Sequence, residues 1–495
     1  MWEFTSVQGL NVAVRDGQTC TLVTEDLRTG ELCRRYGFDV GQPMQAPPIH
    51  PAHRDVGLGR VGRILSFASR QQLAFTFACG GAELAVELDG RRDLSVALRA
   101  PTPAPHVRVW LERGRDRVAL EPGFVYEVGE GIWSFSSRRP APAADLSPAE
   151  ALRQCAWANA VRSPSGALYL PVNRAWVTMF ARRLGLDESA ASPLVFIWDA
   201  AFNSIIAARV DPELALSNLR VLFEQLEPGG RFRQLRVGAL RNNLTGLPVA
   251  SLAVQALFER TREREHLAEF YDRLLAANRW LRAHRDGNGD GLLEWGYEAE
   301  GDGGLEVPGR WAPGYESGLD DSPMWQDQPV DEARRCMEAS AVCLSSLCAR
   351  DCQVLAGMAR VLGRDDDRRE LVAAHARVKG LLDAALWDEA RGLYANRRWT
   401  GEFFAEVSPT SFFPLLAQIP DRARAARLLA HLEDERSFAG PFRLPSISRS
   451  SPRFSASGDY WRGRVWPPLN WLVLQGLRRY DERAAERLAA DSRRL

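Results

Sequence analysis

The chain has 495 residues, long enough for two domains and a large hydrophobic core. Its 63 lysines and arginines balance 63 aspartates and glutamates without a long run of one sign, so the composition predicts no nucleic-acid or other polyanionic partner. Lys379 is the only lysine. This excludes a phosphate-binding G-x-x-x-x-G-K-[ST] loop and leaves one candidate for Schiff-base chemistry.

The chain carries no signal for a membrane. No apolar stretch reaches 18 residues, and the N-terminal MWEFTSVQGL lacks a charged region followed by an apolar run. We therefore expect a cytoplasmic protein without a membrane partner. The eight cysteines are scattered and lack C-x-x-C spacing, so we interpret them as buried thiols rather than disulfides or metal ligands. The 15 tryptophans either build a large aromatic core or offer flat faces to sugar rings.

Residues 1–143 have the pattern of a β domain. The segments LAFTFAC (73–79), ELAVELD (83–89), LSVALRA (94–100) and HVRVWLE (106–112) alternate apolar and polar residues between turns of Gly, Pro, Asp and Arg. We expect an antiparallel β-sandwich. The Pro/Ala-rich stretch RRPAPAADLSPAE (138–150) then serves as a linker into a helical domain, 144–495.

The second domain has amphipathic segments of period 3.6. They predict helices near 148–162, 174–184, 199–209, 211–226, 247–261, 265–285, 339–363, 364–386, 411–432, 469–480 and 481–494. About eleven helices in serial pairs, without a fixed repeat, suggest an (α/α)6 toroid that lacks its last helix. Two long loops, about 286–339 and 433–468, interrupt the pattern, and loops of that length are usually functional.

The first of these loops begins with DGNGDGLLEWG (286–296). Asp286, Asn288 and Asp290 at alternate positions, followed by Gly291, imitate the start of an EF-hand calcium loop. The twelfth position is Tyr297 instead of a bidentate glutamate, so a polar turn of Asx type is the preferred interpretation.

The same loop contains YESGLDDSPMW (315–325). Hydrolysis of a glycosidic bond needs one carboxylic acid to protonate the leaving oxygen and a second carboxylate to activate water or attack. The acid has to stay protonated near neutral pH, so it belongs in a desolvated, aromatic-lined pocket. Asp320 has Asp321 beside it and tryptophans nearby in sequence. From spacing alone, a solvated Asp-Asp-Ser-Pro turn remains an equally good interpretation.

The motif E-S-G-x-D-x-S followed by an aromatic residue resembles the signature of inverting α-glycosidases of glycoside hydrolase family 63 and of the family 37 trehalases. FIWDAAF (196–202) looks like the family's W-D-x-x-F segment, and GDYWRGRVWPPLNW (458–471) looks like its Y-W-R-G-x-x-W-x-x-x-N segment. The motifs follow the family order from about residue 150 to 495. The resemblance implies an (α/α)6-barrel glycosidase that acts on an α-linked glucoside or mannoside by inversion.

The resemblance also implies the residues of the site. Asp320 takes the place of the general acid, and no cofactor or metal is implied. The positions implied to bind the carbohydrate substrate are Trp198, Asp199, Asn243, Glu316, Trp461, Arg462, Gly463 and Trp466.

Two departures from the family pattern stand out. The family carries a segment like (N/D)-R-S-Q-P-P-V-G-S, whose arginine and glutamine bind substrate; at the matching NLTGLPVAS (243–251), Leu244 and Gly246 replace those polar residues. The family's catalytic base is a glutamate in a later E-x-Y-type segment, and this chain ends at Leu495, before that segment. We expect a truncated or incomplete enzyme, or, alternatively, a non-catalytic or decayed sugar-binding protein on the same fold. An isomerase that uses paired histidines is a poorer alternative, because the barrel's histidines lie within predicted helices.

Overall fold

A computed structural model of the chain describes the backbone of strands between residues 11 and 136, and residues 149, 152–153, 156, 160–163, 166–172, 174–186, 191–301 and 305–494. The described residues fall into two compact units. One unit holds the described residues up to Val195 together with 206–221, and the other holds 196–205 and 222–494. The predicted boundary at 143/144 and the linker before it stay predictions, because most of 137–159 lies outside the described residues.

The strands of the N-terminal region form two sheets, and the strand pairs of both sheets are antiparallel. They are β1 (Asn11–Arg15), β2 (Gln18–Asp26), β3 (Glu31–Cys33), β4 (Val61–Ser69), β5 (Gln72–Cys79), β6 (Ala82–Asp89), β7 (Leu94–Arg99), β8 (Val107–Arg113), β9 (Asp116–Leu120), β10 (Val125–Val128) and β11 (Trp133–Ser136). One sheet has the order β1-β2-β8-β9 with β3 on β2, and the other has the order β11-β10-β7-β6-β5-β4. The four predicted strands are confirmed to within a residue or two, whereas face-to-face packing as a sandwich stays a prediction.

The remainder of the described chain is mostly helical. Its helices are α1 (Arg174–Leu184), α2 (Ile197–Val210), α3 (Pro212–Phe223), α4 (Ala250–Thr261), α5 (Arg264–His284), α6 (Ala312–Glu316), α7 (Val342–Leu362), α8 (Asp365–Ala385), α9 (Phe413–Leu416), α10 (Arg422–Glu433), α11 (Pro467–Leu477) and α12 (Glu482–Ser492). Within the described residues, no helix is both long enough and apolar enough to cross a membrane.

Short strands lie before α1 and in the connections between the helices. They are β12 (Val161–Arg162), β13 (Leu168–Tyr169), β14 (Leu194–Phe196), β15 (Leu235–Val237), β16 (Leu240–Arg241), β17 (Val330–Asp331), β18 (Cys336–Met337), β19 (Ala339–Ser340), β20 (Trp387–Asp388), β21 (Leu393–Tyr394) and β22 (Arg397–Arg398).

Helices α7 and α8 show how the pairs are built. Most residues of α7 are buried, whereas α8 buries only Leu371, Val378 and Leu382. A helix that is covered all round lies inside, and one with a narrow apolar stripe lies outside. Gly363 ends α7 in the left-handed conformation, with φ of 75°, and three aspartates at the start of α8 favour the positive end of its dipole. The helices α4 and α5 and the helices α11 and α12 pack as further serial pairs.

Two helix predictions are wrong. The helix predicted for 148–162 does not reach 162, because β12 pairs antiparallel with β13 there. The helix predicted for 411–432 is broken into a 3-10 turn at Pro409–Phe412, α9 and α10. Gln418 between α9 and α10 has a left-handed φ of 56°, and Asp421 then caps α10 by accepting the backbone N–H of Arg424.

The long loops of the sequence are loops in the structure. Between the end of α5 at His284 and the start of α7 at Val342, the described residues, 285–301 and 305–341, form only α6, a 3-10 turn at Pro323–Trp325 and short strands. The second loop runs from the end of α10 to the start of α11. These two loops carry most of the residues that the resemblance assigned to the site.

Candidate active site

Asp320 follows α6 and is half-buried. The hydroxyl group of Tyr460, from the second long loop, donates a hydrogen bond to Asp320 Oδ2 at 2.8 Å. Burial raises the pKa of Asp320 from 3.8 to about 7, the Tyr460 hydrogen bond opposes that rise, and the charges of Asp321 and Asp199 add to it. A carboxyl group with this pKa is protonated in a useful fraction at neutral pH, as a general acid requires.

The adjacent Asp321 has a different environment. Its side chain is 0% exposed and forms an ion pair with Arg462 Nε at 3.1 Å. It also accepts the backbone N–H of Trp461 at 3.0 Å. Burial raises the pKa of Asp321 although these donors oppose the rise. Because the protein's own groups occupy its oxygens, Asp321 joins the two long loops, and Asp320 is the aspartate left to face a ligand.

Three tryptophans lie around this acid. Trp461 and Trp466 stack with ring centroids 4.2 Å apart and planes 13° apart. Trp198, at the start of α2, lies 6.1 Å from the Trp461 ring. Tyr460 packs edge-on against Trp466, with ring centroids 5.6 Å apart. The aromatic faces and the acid are therefore neighbours, as the resemblance implied.

Two glycines allow this close packing. Gly318 has φ of 73°, and a Cβ atom there would lie 3.4 Å from the Trp198 ring. Gly463 has φ of 146°, and a Cβ atom there would lie 2.2 Å from the Ser455 carbonyl oxygen. Both backbone conformations favour glycine. For Gly463, predicted as substrate-binding, the structure thus supplies a conformational reason that needs no ligand.

Asp199 lies in the first turn of α2 and is half-buried. Burial raises its pKa from 3.8 to about 7. Its charge contributes to the raised pKa of Asp320, so the two carboxyl groups share one environment.

Two other residues predicted to bind substrate have polar groups that the protein itself occupies. Glu316 is buried and accepts hydrogen bonds from Arg285 and from the backbone N–H groups of Thr245 and Gly296. The amide oxygen of Asn243 accepts the Val307 N–H at 2.8 Å, and its amide nitrogen donates to the Val307 and Glu298 carbonyl groups. These contacts are typical of residues that hold loops in place.

The segment that departs from the family pattern is packed into the core. Leu244 is fully buried in a cluster with Tyr297 and Ala312. A Cβ atom on Gly246 would lie 1.9 Å from Ile197 Cγ2, so no side chain fits at this position. Neither residue presents a polar group to a sugar.

Comparisons with known proteins show which family the chain belongs to. The model of the family described as mannosylglycerate hydrolase MGH1-like glycoside hydrolase domain matches residues 192–495. The chain belongs to this family of glycoside hydrolases.

Several known proteins are similar to this MGH1-like glycosidase. A mannosylglycerate hydrolase of Thermus thermophilus is 27% identical over 377 residues, which cover 61% of this chain and 85% of that protein. A crystal structure of a GH63 mannosylglycerate hydrolase from Thermus thermophilus in complex with glucose is similar, with a TM-score of 0.51, 27% identity and coverage of 60% of this chain and 84% of that one. A periplasmic trehalase of Xanthomonas oryzae is 29% identical over 121 residues, 24% of this chain and 20% of that protein. The helical part of this MGH1-like glycosidase therefore has the (α/α)6-type fold; the absence of a last helix stays a prediction.

Sequence reasoning missed two roles in the site. The motif match quoted the segment that contains Tyr460 without assigning this residue the contact with the acid. It gave no role to Arg285, which pairs with Glu316.

The turn at 286–292 is confirmed as Asx type, since Asn288 Oδ1 accepts the Asp290 N–H and Asp290 Oδ1 accepts the Leu292 N–H. Among the cysteines whose side chains the structure describes, four are confirmed as buried thiols: Cys336, Cys343, Cys348 and Cys352.

Proposed function

We propose that this glycosidase hydrolyses an α-linked mannoside or glucoside of a small acceptor by inversion, with Asp320 as the general acid. Mannosylglycerate is the first substrate to test. Two relatives that are 27% and 25% identical to the chain are named mannosylglycerate hydrolases. The observation that carries the proposal is the half-buried Asp320 carboxyl group with a pKa near 7, held by Tyr460 beside three tryptophans. A cytoplasmic location stays a prediction from the sequence.

In the proposed reaction, protonated Asp320 gives its proton to the glycosidic oxygen as the bond to the anomeric carbon breaks. A water molecule attacks that carbon from the opposite face, activated by a second carboxylate about 6.5–9.5 Å from the first. The family resemblance implies a glutamate for this second role. Tyr460 holds Asp320 Oδ2, so the other oxygen is the one placed to carry the proton.

The sugar ring stacks on the tryptophan faces in this proposal, and Asp199 accepts hydrogen bonds from its hydroxyl groups. The negative charge of Asp199 also keeps Asp320 protonated to higher pH. We assign Asn243, Glu316 and Gly463 to holding the loops, because their contacts are within the protein. Arg462 supports the site through its ion pair with Asp321.

The test is to incubate the chain with mannosylglycerate and with glucosylglycerate and to follow the anomeric protons by NMR. An inverting enzyme releases the β-sugar first, whereas a retaining enzyme releases the α-sugar. Asp320→Asn should abolish turnover and keep sugar binding, measured by calorimetry. Asp327→Asn is the matched control: Asp327 lies in the same loop, its side chain is 86% exposed, and Asn accepts its left-handed φ of 61°.

A second candidate function is sugar binding without catalysis, favoured by the apolar Leu244 and the bare Gly246 in the segment beside the site. It predicts binding of mannosylglycerate without turnover. Added sodium azide separates the two cases further. Formation of a β-glycosyl azide would show a working acid with no carboxylate activating water, while no product with or without azide would refute the proposal that Asp320 acts as an acid.

A further inference from the structure

Glu316 lies four residues before Asp320, and the protein fills its carboxylate with donors. Arg285 Nη2 lies 2.6 Å from Glu316 Oε1, and Arg285 Nε lies 3.1 Å from Oε2. Thr245 and Gly296 donate their backbone N–H groups at 2.8 and 2.6 Å. The side chains of Glu316 and Arg285 are 1% and 3% exposed. Four donors at full burial make this pair an anchor inside the protein.

Arg285 connects three segments at this anchor. It ends α5, where its backbone N–H donates to the Leu281 carbonyl group. Its Nη1 donates to Glu298 Oε1 at 2.8 Å, and its Nη2 also donates to Thr245 Oγ1 at 3.2 Å. Its guanidinium group lies 5.0 Å from the centre of the Trp280 ring. One side chain thus joins the end of α5, the 296–298 segment and the 243–247 segment to the loop that carries the acid.

The anchor is continuous with Asp320 through a chain of short-range contacts. The Ser317 hydroxyl donates to the Gly314 carbonyl group at 2.6 Å and accepts the Leu319 N–H at 3.1 Å. The Ser322 N–H donates to the Leu319 carbonyl group at 3.0 Å. These hydrogen bonds link residues 314–322 on both sides of Asp320, so we expect a shift of Glu316 to reach Asp320.

We infer that Arg285 is a positioning residue for the general acid and acts through Glu316. The inference rests on the proposed function, in which Asp320 gives the proton. Two carboxylates flank the acid: Glu316 bound to Arg285 before it and Asp321 bound to Arg462 after it. Loss of Arg285 leaves Glu316 as an unpaired buried charge. That charge turns toward water, draws the loop with it and hydrates Asp320.

The first test compares substrates that differ in their need for an acid. Departure of an alkoxide needs a proton, whereas fluoride departs without one. Arg285→Gln should lower kcat/KM for mannosylglycerate by about 100-fold with little change in KM, since a misplacement near 1 Å has an effect of that order. Hydrolysis of α-mannosyl fluoride should fall by less than about threefold, since no acid is needed there. Arg279→Gln is the matched control: Arg279 lies on the same helix and pairs with Glu370 and Asp367, away from the acid loop.

The second test needs no turnover. The ¹³C signal of the Asp320 carboxyl group is assigned by its absence in Asp320→Asn and is titrated with pH. In Arg285→Gln the pKa of Asp320 should fall toward its ordinary range, and in Arg279→Gln it should not change. If the wild-type chain turns over neither substrate, the proposed function fails, yet this titration still decides on the positioning role.

Equal losses on both substrates with an unchanged Asp320 titration would overturn the inference and leave Arg285 a structural residue. If Arg285→Gln does not fold, Arg285→Lys carries the same comparison. Lysine keeps the charge but offers no fork of donors, so it should show a smaller defect of the same pattern. Normal values for a folded Arg285→Lys in both tests would also overturn the inference.

Discussion

Replacement of each of the adjacent aspartates by asparagine should have opposite effects on stability, because Asp321 has an ion pair with Arg462 and Asp320 has none among the described residues. Burial raises the pKa of Asp320 from 3.8 to about 7, which means that the folded protein resists its ionisation. At about 1.4 kcal/mol per pKa unit, a shift of roughly three units corresponds to about 4 kcal/mol. Because the carboxyl group is half-buried, solvent screening reduces this to about 2–4 kcal/mol.

The sign of the pH dependence follows from proton linkage. Between pH 4 and pH 7 the folded state binds more protons at Asp320 than the unfolded state, so stability falls as pH rises. Asp320→Asn removes this loss. The variant should be more stable than the wild type at pH 8 by about 2–4 kcal/mol, and by less than about half of that at pH 5. It should also lose turnover of mannosylglycerate.

Asp321→Asn should destabilise the protein. The asparagine side chain has one oxygen, so either Arg462 or the Trp461 N–H loses its acceptor and meets an amide donor instead. Loss of a buried charge-assisted hydrogen bond costs about 1.5–3 kcal/mol. Burial raises the pKa of Asp321, which means that its charge is poorly solvated, so removal of this charge offsets part of the cost. The net loss should be about 1–3 kcal/mol.

Urea unfolding of the wild type and both variants at pH 5 and pH 8 measures these differences, and equal denaturant slopes show that the unfolding transition is unchanged. The reasoning is refuted if Asp320→Asn is equally or less stable than the wild type at pH 8, or if its difference from the wild type is the same at both pH values. A more stable Asp321→Asn would contradict the inference that Asp321 joins the two long loops through Arg462 and the Trp461 N–H.

Three further predictions concern other residues of the chain. Tyr460→Phe removes a hydrogen bond that favours ionised Asp320, so the alkaline limb of the kcat/KM profile should move up by about one pH unit, and no movement or a fall would contradict that. Burial raises the pKa of Glu294 from 4.5 to about 8, so wild-type stability should fall as pH rises through this window, and urea unfolding of Glu294→Gln should show a flatter dependence. Gly318→Ala should destabilise the chain by about 1–2 kcal/mol at its φ of 73° and, by pushing on Trp198, weaken sugar binding measured by calorimetry; unchanged stability and affinity would contradict this.

Much of the fold could be predicted from local pattern. Strands with period-2 alternation, such as β6, and long helices with period 3.6, such as α5, depend on which residues are apolar and at what spacing, and that information is local. The helix predicted for 411–432 is wrong although one local signal was present: Pro420 lies at the break between α9 and α10, and proline ends helices. Its apolar pattern is continuous across a break at Gln418, where His375 and Lys379, from another helix, contact the carbonyl groups of residues 417–419.

The sequence by itself determined that the chain carries a glycosidase signature, the order of its motifs and Asp320 as the candidate acid. Tertiary structure alone decided which of the three acids of ESGLDD have their oxygens occupied by other groups of the protein. Glu316 and Asp321 are identical in chemistry to a catalytic carboxylate, and only the arginines and N–H groups of residues 20 to 141 positions away in the sequence make them anchors. A pKa depends on burial and on neighbouring charges, and both are properties of packing that no local stretch of sequence contains.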